Sequence, residues 1–136
     1  MTANAEHPNA RILRAVYADL TKIADYAAPD ILVHLADRTP IDPRPCRGAT
    51  AVLAHEQALI RMTHGTLVMD VQQIAANDHF GAVLGTLRAT RPQPVGVPFC
   101  GLWRFVDGCI VEHWENAADP ALLSGILAPR SGPAPL

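Results

Sequence analysis

The sequence of 136 residues predicts an α+β fold in which helices come first and a meander of long strands follows. Three observations carry that prediction. Apolar residues recur at helical spacing near the start of the chain and again over residues 49 to 64. β-rich runs separated by turn residues fill most of residues 66 to 119. The last of those runs is split by Asp107-Gly108, and an Asp-Gly pair between apolar stretches is the strongest short-range hairpin signal a sequence offers. Such an order segregates the helices onto one face of the sheet, and a curved antiparallel sheet then encloses a cavity between its concave face and the helices.

The length fits one domain, here residues 9 to 127, with flexible tails at 1 to 8 and 128 to 136. Hydrophobic residues make up 49% of the chain, yet no run approaches the ~18 apolar residues of a membrane span. The formal charge of −2, with arginines scattered and Lys22 the only lysine, excludes a basic stripe, so no nucleic acid partner is expected. Cys46, Cys100 and Cys109 form no Cys-x-x-Cys pair and follow no secretory leader, which makes a reducing, cytoplasmic setting the expectation. His55-Glu56 is followed by Gln57, Ala58 and Leu59, which breaks the His-Glu-x-x-His spacing, so no metal is assigned.

In chain order, Asn9 offers a cap for a first helix whose apolar face is Ile12, Leu13, Val16, Tyr17, Leu20, Ile23 and Ala24. Pro29 ends it by Ala28. Residues 31 to 36 read as a buried strand interrupted only by His34, and 37 to 48, with prolines at 40, 43 and 45, as a loop. A second helix runs from Ala49 to His64, with Val52, Leu53, Glu56, Leu59, Ile60 and Thr63 along one line and Gly65 after its end. Strands follow over 66 to 75 and 80 to 90, then a proline-rich joint over 91 to 98, then the Phe99 hairpin. Asp119 and Pro120 open a short last helix through Leu127.

The hairpin can close in two ways, and a one-residue slip turns every side chain over. A two-residue Asp107-Gly108 turn puts Cys100 and Leu102 on the face of His113 and Glu115. A three-residue turn, with Gly108 as a left-handed bulge, instead gathers Gly101 and Trp103 beside Val111, His113 and Glu115. The second is favoured because it builds a pocket wall from a carboxylate, an imidazole and an indole around a glycine gap.

The run Trp103-Arg104-Phe105-Val106-Asp107-Gly108, followed by Ile110-Val111-Glu112-His113-Trp114, resembles the SnoaL-like polyketide cyclases of the nuclear-transport-factor-two-like superfamily, which also holds ketosteroid isomerases and limonene epoxide hydrolase. The resemblance spans residues 10 to 127 and implies a cone-shaped α+β barrel that is dimeric through its sheet. It also implies an acid/base carboxylate right after the His-Trp pair, which here is Glu115 where the cyclases have Asp. The isomerase branch has carboxylic acids at the positions of Leu35 and Gly101, both absent here, while its tyrosine has a counterpart in Tyr17. Epoxide hydrolases need an Asp-Arg-Asp set, for which Glu115 and Arg88 are two members and the third has no counterpart.

An apolar cone walled by Trp103 and Phe105 would strip water from Glu115 and raise its pKa toward neutrality. The alternative is a plain ion pair with Arg104 or Arg88. His113 stands two residues from Glu115 on one face and is either its titration partner or a hydrogen-bonded core histidine. His34, at a position where the cyclases often have histidine, needs a partner inside its apolar strand and is the second catalytic candidate. Tyr17 is either a donor to a substrate carbonyl or a core tyrosine with a polar tip. The expectation is therefore a cofactor-independent acid/base enzyme of the cyclase or isomerase type, with Glu115, His34 and Tyr17 as catalytic residues. Trp103, His113, Phe105, Val111, Gly101 and Arg88 are expected to contact a hydrophobic carbonyl substrate. A non-catalytic binding or dimerisation module and an epoxide hydrolase are the rival readings.

Overall fold

The computed structural model describes residues 6–127. Its elements are α1 (Pro8–Ala18), a 3-10 turn (Leu20–Lys22), α2 (Ile23–Tyr26), β1 (Ala27–His34), β2 (Pro45–Arg47), α3 (Ala49–Met62), β3 (Val68–Ala76), β4 (Phe80–Ala89), β5 (Val95–Val106), β6 (Cys109–Trp114) and α4 (Pro120–Leu127). The strands form one mixed sheet in the order β2-β1-β6-β5-β4-β3, in which β1 and β6 run parallel and the other neighbours antiparallel. The α+β class with helices on the concave face is what the chain adopts. The sheet is open, with β2 and β3 at its edges, rather than the closed barrel that the resemblance implied.

Local chemistry accounts for the departures from the sequence reading. The first helix starts two residues earlier than expected, with Pro8 in its first turn and the His7 ring capping the Asn9 amide at 3.0 Å. Asn9 is not the cap. It is buried, and its side-chain amide donates to the Asn77 carbonyl at 3.0 Å, which ties α1 to the β3–β4 joint. The helix then breaks at Asp19, whose extended backbone and side-chain bond to the Thr21 amide at 3.1 Å start the 3-10 turn. Within the segment read as loop, Pro45–Arg47 pairs antiparallel with β1 as a short edge strand, a place where proline's missing donor is harmless. Residues 1 to 5 and 128 to 136, most of the two tails of the sequence reading, lie outside the described residues.

The core fills the space between the sheet's concave face and α1 to α3. Leu13, Val16, Ile23, Ile31, Val33, Val52, Val83, Val97, Phe105 and Ile110 are almost wholly buried there. Alternation sets the faces: Val97, Gly101, Trp103 and Phe105 point in from β5, whereas Leu102 and Val106 are exposed on the other side.

The hairpin that closes the sheet combines the two expected forms. Val106 pairs with Cys109 across a two-residue turn in which Asp107 (φ 49°) and Gly108 (φ 78°) are both left-handed, the geometry that matches strand twist. The extra residue sits further along β6: Phe105 pairs with Ile110 but Arg104 with Glu112, so Val111 is the bulge. That bulge restores the parity expected from the longer turn. Trp103 faces His113, and Glu112 is turned outward.

Candidate functional site

The concave face, α3, α4 and the loop after β1 enclose a cavity of about 470 Å³, within the ~300–1,000 Å³ range of small-molecule pockets. Aliphatic and aromatic side chains make most of its wall, among them Val16, Leu20, Leu35, Leu59, Met69 and Phe99. Five of the expected site residues meet there as well: Glu115, Tyr17, Trp103 and His113, around the gap left by the fifth, Gly101.

Glu115 lies just past the end of β6 and is anchored on both oxygens. Oε1 accepts the Ala36 amide at 3.2 Å, and Oε2 is 3.0 Å from Nε2 of His55. Burial alone would push this carboxyl up, but the His55 hydrogen bond and charge, with the Ala36 amide, hold it below the ordinary carboxylate range. The expected upward shift is therefore corrected, because a cation that the sequence reading had not placed faces the carboxylate. Burial would drive His55 down, but the hydrogen bond and charge of Glu115 outweigh it and push the imidazole up to about 9. At neutral pH the two form an ion pair of an imidazolium and a carboxylate.

The raised carboxyl is Glu56, the residue after His55 on α3. It is 7% exposed, borders the cavity and makes no side-chain hydrogen bond among the described residues. Burial, then the charge of Glu115, pushes it up to about 8. Its carboxylate oxygen, the Glu115 oxygen and the His55 nitrogen all lie within 4.8 Å of one another, the one such group among the described residues close enough to share a cation.

Tyr17 projects from α1 so that its hydroxyl oxygen accepts the Trp103 indole N–H at 3.2 Å, which leaves the hydroxyl hydrogen for a ligand. Burial pushes its pKa up, so the group stays a donor. Gly101 makes this possible, since a β-carbon there would land on the Tyr17 hydroxyl and press on the Trp103 indole. His113 is a core histidine: it stacks on Trp103 with ring centroids 3.5 Å apart, and its Nδ1–H donates to the Leu102 carbonyl at 2.8 Å. Burial drives its pKa down to about 4, so it is neutral and its Nε2 is an acceptor.

The other expected residues lie elsewhere. His34 points to the outer face, where it stacks on Trp114 and meets Glu112 at 2.7 Å, because β1 turns Val33 and Leu35 inward. Phe105 is packed in the core below the cavity, and Val111 is displaced by the bulge. Arg88 is exposed and bonds Asp70 at 3.2 Å across β3 and β4. Conversely, His55 and Glu56 were missed as site residues. The available signal was Glu56 itself, an acid on the apolar line of α3.

A cap of polar groups closes the end of the cavity near Glu115. Asp37 accepts Arg44 at 2.7 Å and the Ser124 hydroxyl of α4 at 2.9 Å, so the loop after β1 and the last helix are joined over the site.

Residues 13–113 match the sequence profile of the SnoaL-like domain. No curated protein sequence matches the chain. Among solved structures, Bal32a from a soil-derived mobile gene cassette superposes with a TM-score of 0.76 at 19% identity, over 89% of this chain and 97% of that one. A SnoaL-like polyketide cyclase candidate from Jannaschia sp. CCS1 gives 0.72 at 16% identity, over 95% and 98%. IdmH, a candidate polyketide cyclase from Streptomyces antibioticus, gives 0.66 at 20% identity, over 90% and 100%. Likeness at these identities is a likeness of fold, whereas the profile covers most of the chain, and by it the protein belongs to the SnoaL-like domain family.

Proposed function

We propose that this protein is a cofactor-independent acid/base enzyme that moves a proton on a hydrophobic carbonyl compound. The observation that carries the reading is the Glu115–His55 ion pair at 3.0 Å, facing a cavity with mostly apolar walls. A carboxylate kept charged in such a place is a base that need not shed a full hydration shell, and the imidazolium beside it is a ready acid. Glu115 takes a proton from the carbon next to the carbonyl. The Tyr17 hydroxyl, its oxygen already engaged by Trp103, donates to the oxygen as that atom gains charge. His55 returns a proton to the product.

The low pKa of Glu115 limits what it can deprotonate. It suits carbons that are already acidic, such as those flanked by two carbonyls, where positioning supplies much of the rate. That choice agrees with the polyketide chemistry named for the Jannaschia and Streptomyces proteins. We propose in addition that the protein works as a homodimer through the outer sheet face, where Phe80, Leu84 and Leu102 are exposed, and sedimentation as a monomer would overturn that part.

The test is proton exchange. A panel of hydrophobic ketones and 1,3-diketones is incubated with the protein in deuterated water, and deuterium at the activated carbon is followed by NMR. Wild type is expected to accelerate exchange for at least one compound, and Glu115→Gln to lose ~100-fold or more of that rate with its fold intact. No acceleration with any compound that binds, or full activity in Glu115→Gln, would favour the non-catalytic binding module.

A further inference from the structure

The mechanism above leaves Glu56 without a task. Its carboxyl is more than nine-tenths buried, unpartnered among the described residues and directed at the cavity. Burial keeps it protonated at neutral pH, and once ionised it would have no counter-charge in the cavity wall. The cavity wall holds three acids, Asp37, Glu56 and Glu115, and two cations, Arg44 and His55. Both cations are engaged, Arg44 by Asp37 at 2.7 Å and Asp42 at 3.4 Å, and His55 by Glu115 at 3.0 Å. Arg38, outside the cavity wall, is spent on the carbonyls of His34, Leu35 and Glu115 and on the Asn116 side chain. His113 gives its Nδ1–H to the Leu102 carbonyl. Among the described residues one carboxyl thus has no counterpart, and no cation of the cavity wall is left free for an anionic ligand.

We infer that Glu56 is the receptor for a basic nitrogen of the ligand, so that the cavity takes apolar carbonyl compounds that also carry an amine. The geometry fits one ammonium. The Glu56 and Glu115 oxygens lie within 4.8 Å of each other, so a nitrogen at ~2.8 Å from each, the usual length of a charge-assisted hydrogen bond, reaches both. An ammonium placed there lowers the pKa of the Glu56 carboxyl, which releases its proton to solvent and becomes the counter-charge that offsets the ammonium's desolvation, while the carbon framework meets Val16, Leu20, Phe99 and Trp103. A carboxylate or phosphate ligand would add a negative charge to a site with no free cation among the described residues, and should bind weakest.

This names the substrate class of the site proposed above and rests on that reading for its relevance to turnover, but it is tested by binding alone. Three probes of one shape, naphthylmethylamine, naphthylmethanol and naphthoate, are titrated calorimetrically into the full chain at neutral pH. Wild type is expected to bind the amine ~10-fold or more tighter than the alcohol, with naphthoate weakest. In Glu56→Gln the amine is expected to fall to the affinity of the alcohol, whose own binding is retained and so reports a folded cavity. Glu56→Met serves the same purpose should the Gln variant not fold. Equal binding of amine and alcohol by wild type overturns the inference, as does an amine preference that survives at Glu56→Gln. An amine preference without deuterium exchange would sink the acid/base reading and keep the receptor, whereas exchange without the preference would do the reverse.

Discussion

Glu112 in β6 and Glu115 just past its end are three residues apart, and each meets a histidine, His34 at 2.7 Å and His55 at 3.0 Å. Their exposures hardly differ: the side chains of the first pair are 24% and 19% exposed, those of the second 16% and 21%. Accessibility therefore does not separate them; company does. On the outer face Glu112 also accepts Arg104 at 3.1 Å, so one carboxylate lies between an imidazole and a guanidinium and is held below its ordinary range, first by the His34 hydrogen bond and then by Arg104. On the inner face one cation lies between two carboxyls, Glu115 and Glu56, inside an apolar cavity. A satisfied cluster is structural. A cluster with an acid to spare is poised to exchange protons or to accept a ligand.

The comparison breaks most sharply on activity. Glu115→Gln should lower deuterium exchange ~100-fold or more, while Glu112→Gln should leave the rate within about threefold, measured on one substrate under the same conditions. Equal losses would mean that the inner pair has no privileged role.

A second difference appears in the pH profile. Exchange needs Glu115 ionised and His55 charged, so the rate should fall on the alkaline side near the His55 value of about 9. His55→Gln should remove that limb, and a carboxyl NMR titration should find Glu115 moved upward once its partner is lost. His34→Gln should change neither. The pair's stability follows the same sign: with the folded His55 value above its ordinary 6.5, the contribution is whole below that pH and is lost as pH rises through about 9.

Gly101 and Cys100 extend the contrast to β5, whose two faces they occupy. Gly101→Ala should cost ~1–3 kcal/mol in denaturant unfolding, because the new methyl group meets Tyr17, Trp103 and His113 in a packed site. Cys100→Ala, a change at a partly exposed position on the opposite face, should cost less.

Glu56→Gln should stabilise the fold, and increasingly so with pH. The wild-type carboxyl titrates at about 8 when folded against an ordinary 4.5, so the folded state binds this proton more tightly and stability declines as pH rises between those values. Thermal melts of the two proteins should agree near pH 4.5 and diverge up to pH 8. Parallel curves would show that Glu56 is not buried as described. The smallest effect belongs to the outer face, where Glu112→Gln should cost under ~1 kcal/mol, since partly exposed pairs are screened by water.

Much of the fold was legible because it is local. The helical spacing of α1 and α3, the alternation along β5 and the Asp107-Gly108 turn are each written within a few residues, whereas the shared inward face of Gly101, Trp103, His113 and Glu115, expected from a longer turn, is delivered by the bulge at Val111. The site was legible in part. Glu115 was readable because the hairpin carries it, and Tyr17 because it lies on the apolar face of its helix. Val111 was misjudged for a physical reason: a bulge is one residue of slack with no strong composition of its own, and its position is set by how β6 fits both neighbours, β1 and β5.

Local pattern is enough to fix the order of the elements, the class of the fold and the carboxylate at the end of the last strand. Which histidine meets that carboxylate is set by long-range packing. His34 and His55 are equivalent as residue types, but β1 pairs in parallel with β6, and its alternation sends His34 to the outer face. His55 reaches Glu115 across 60 positions of sequence because α3 packs over β1. Pairing of that kind is fixed by the packing of a whole helix against a sheet, an energy summed over many side chains, and no short stretch of sequence carries it.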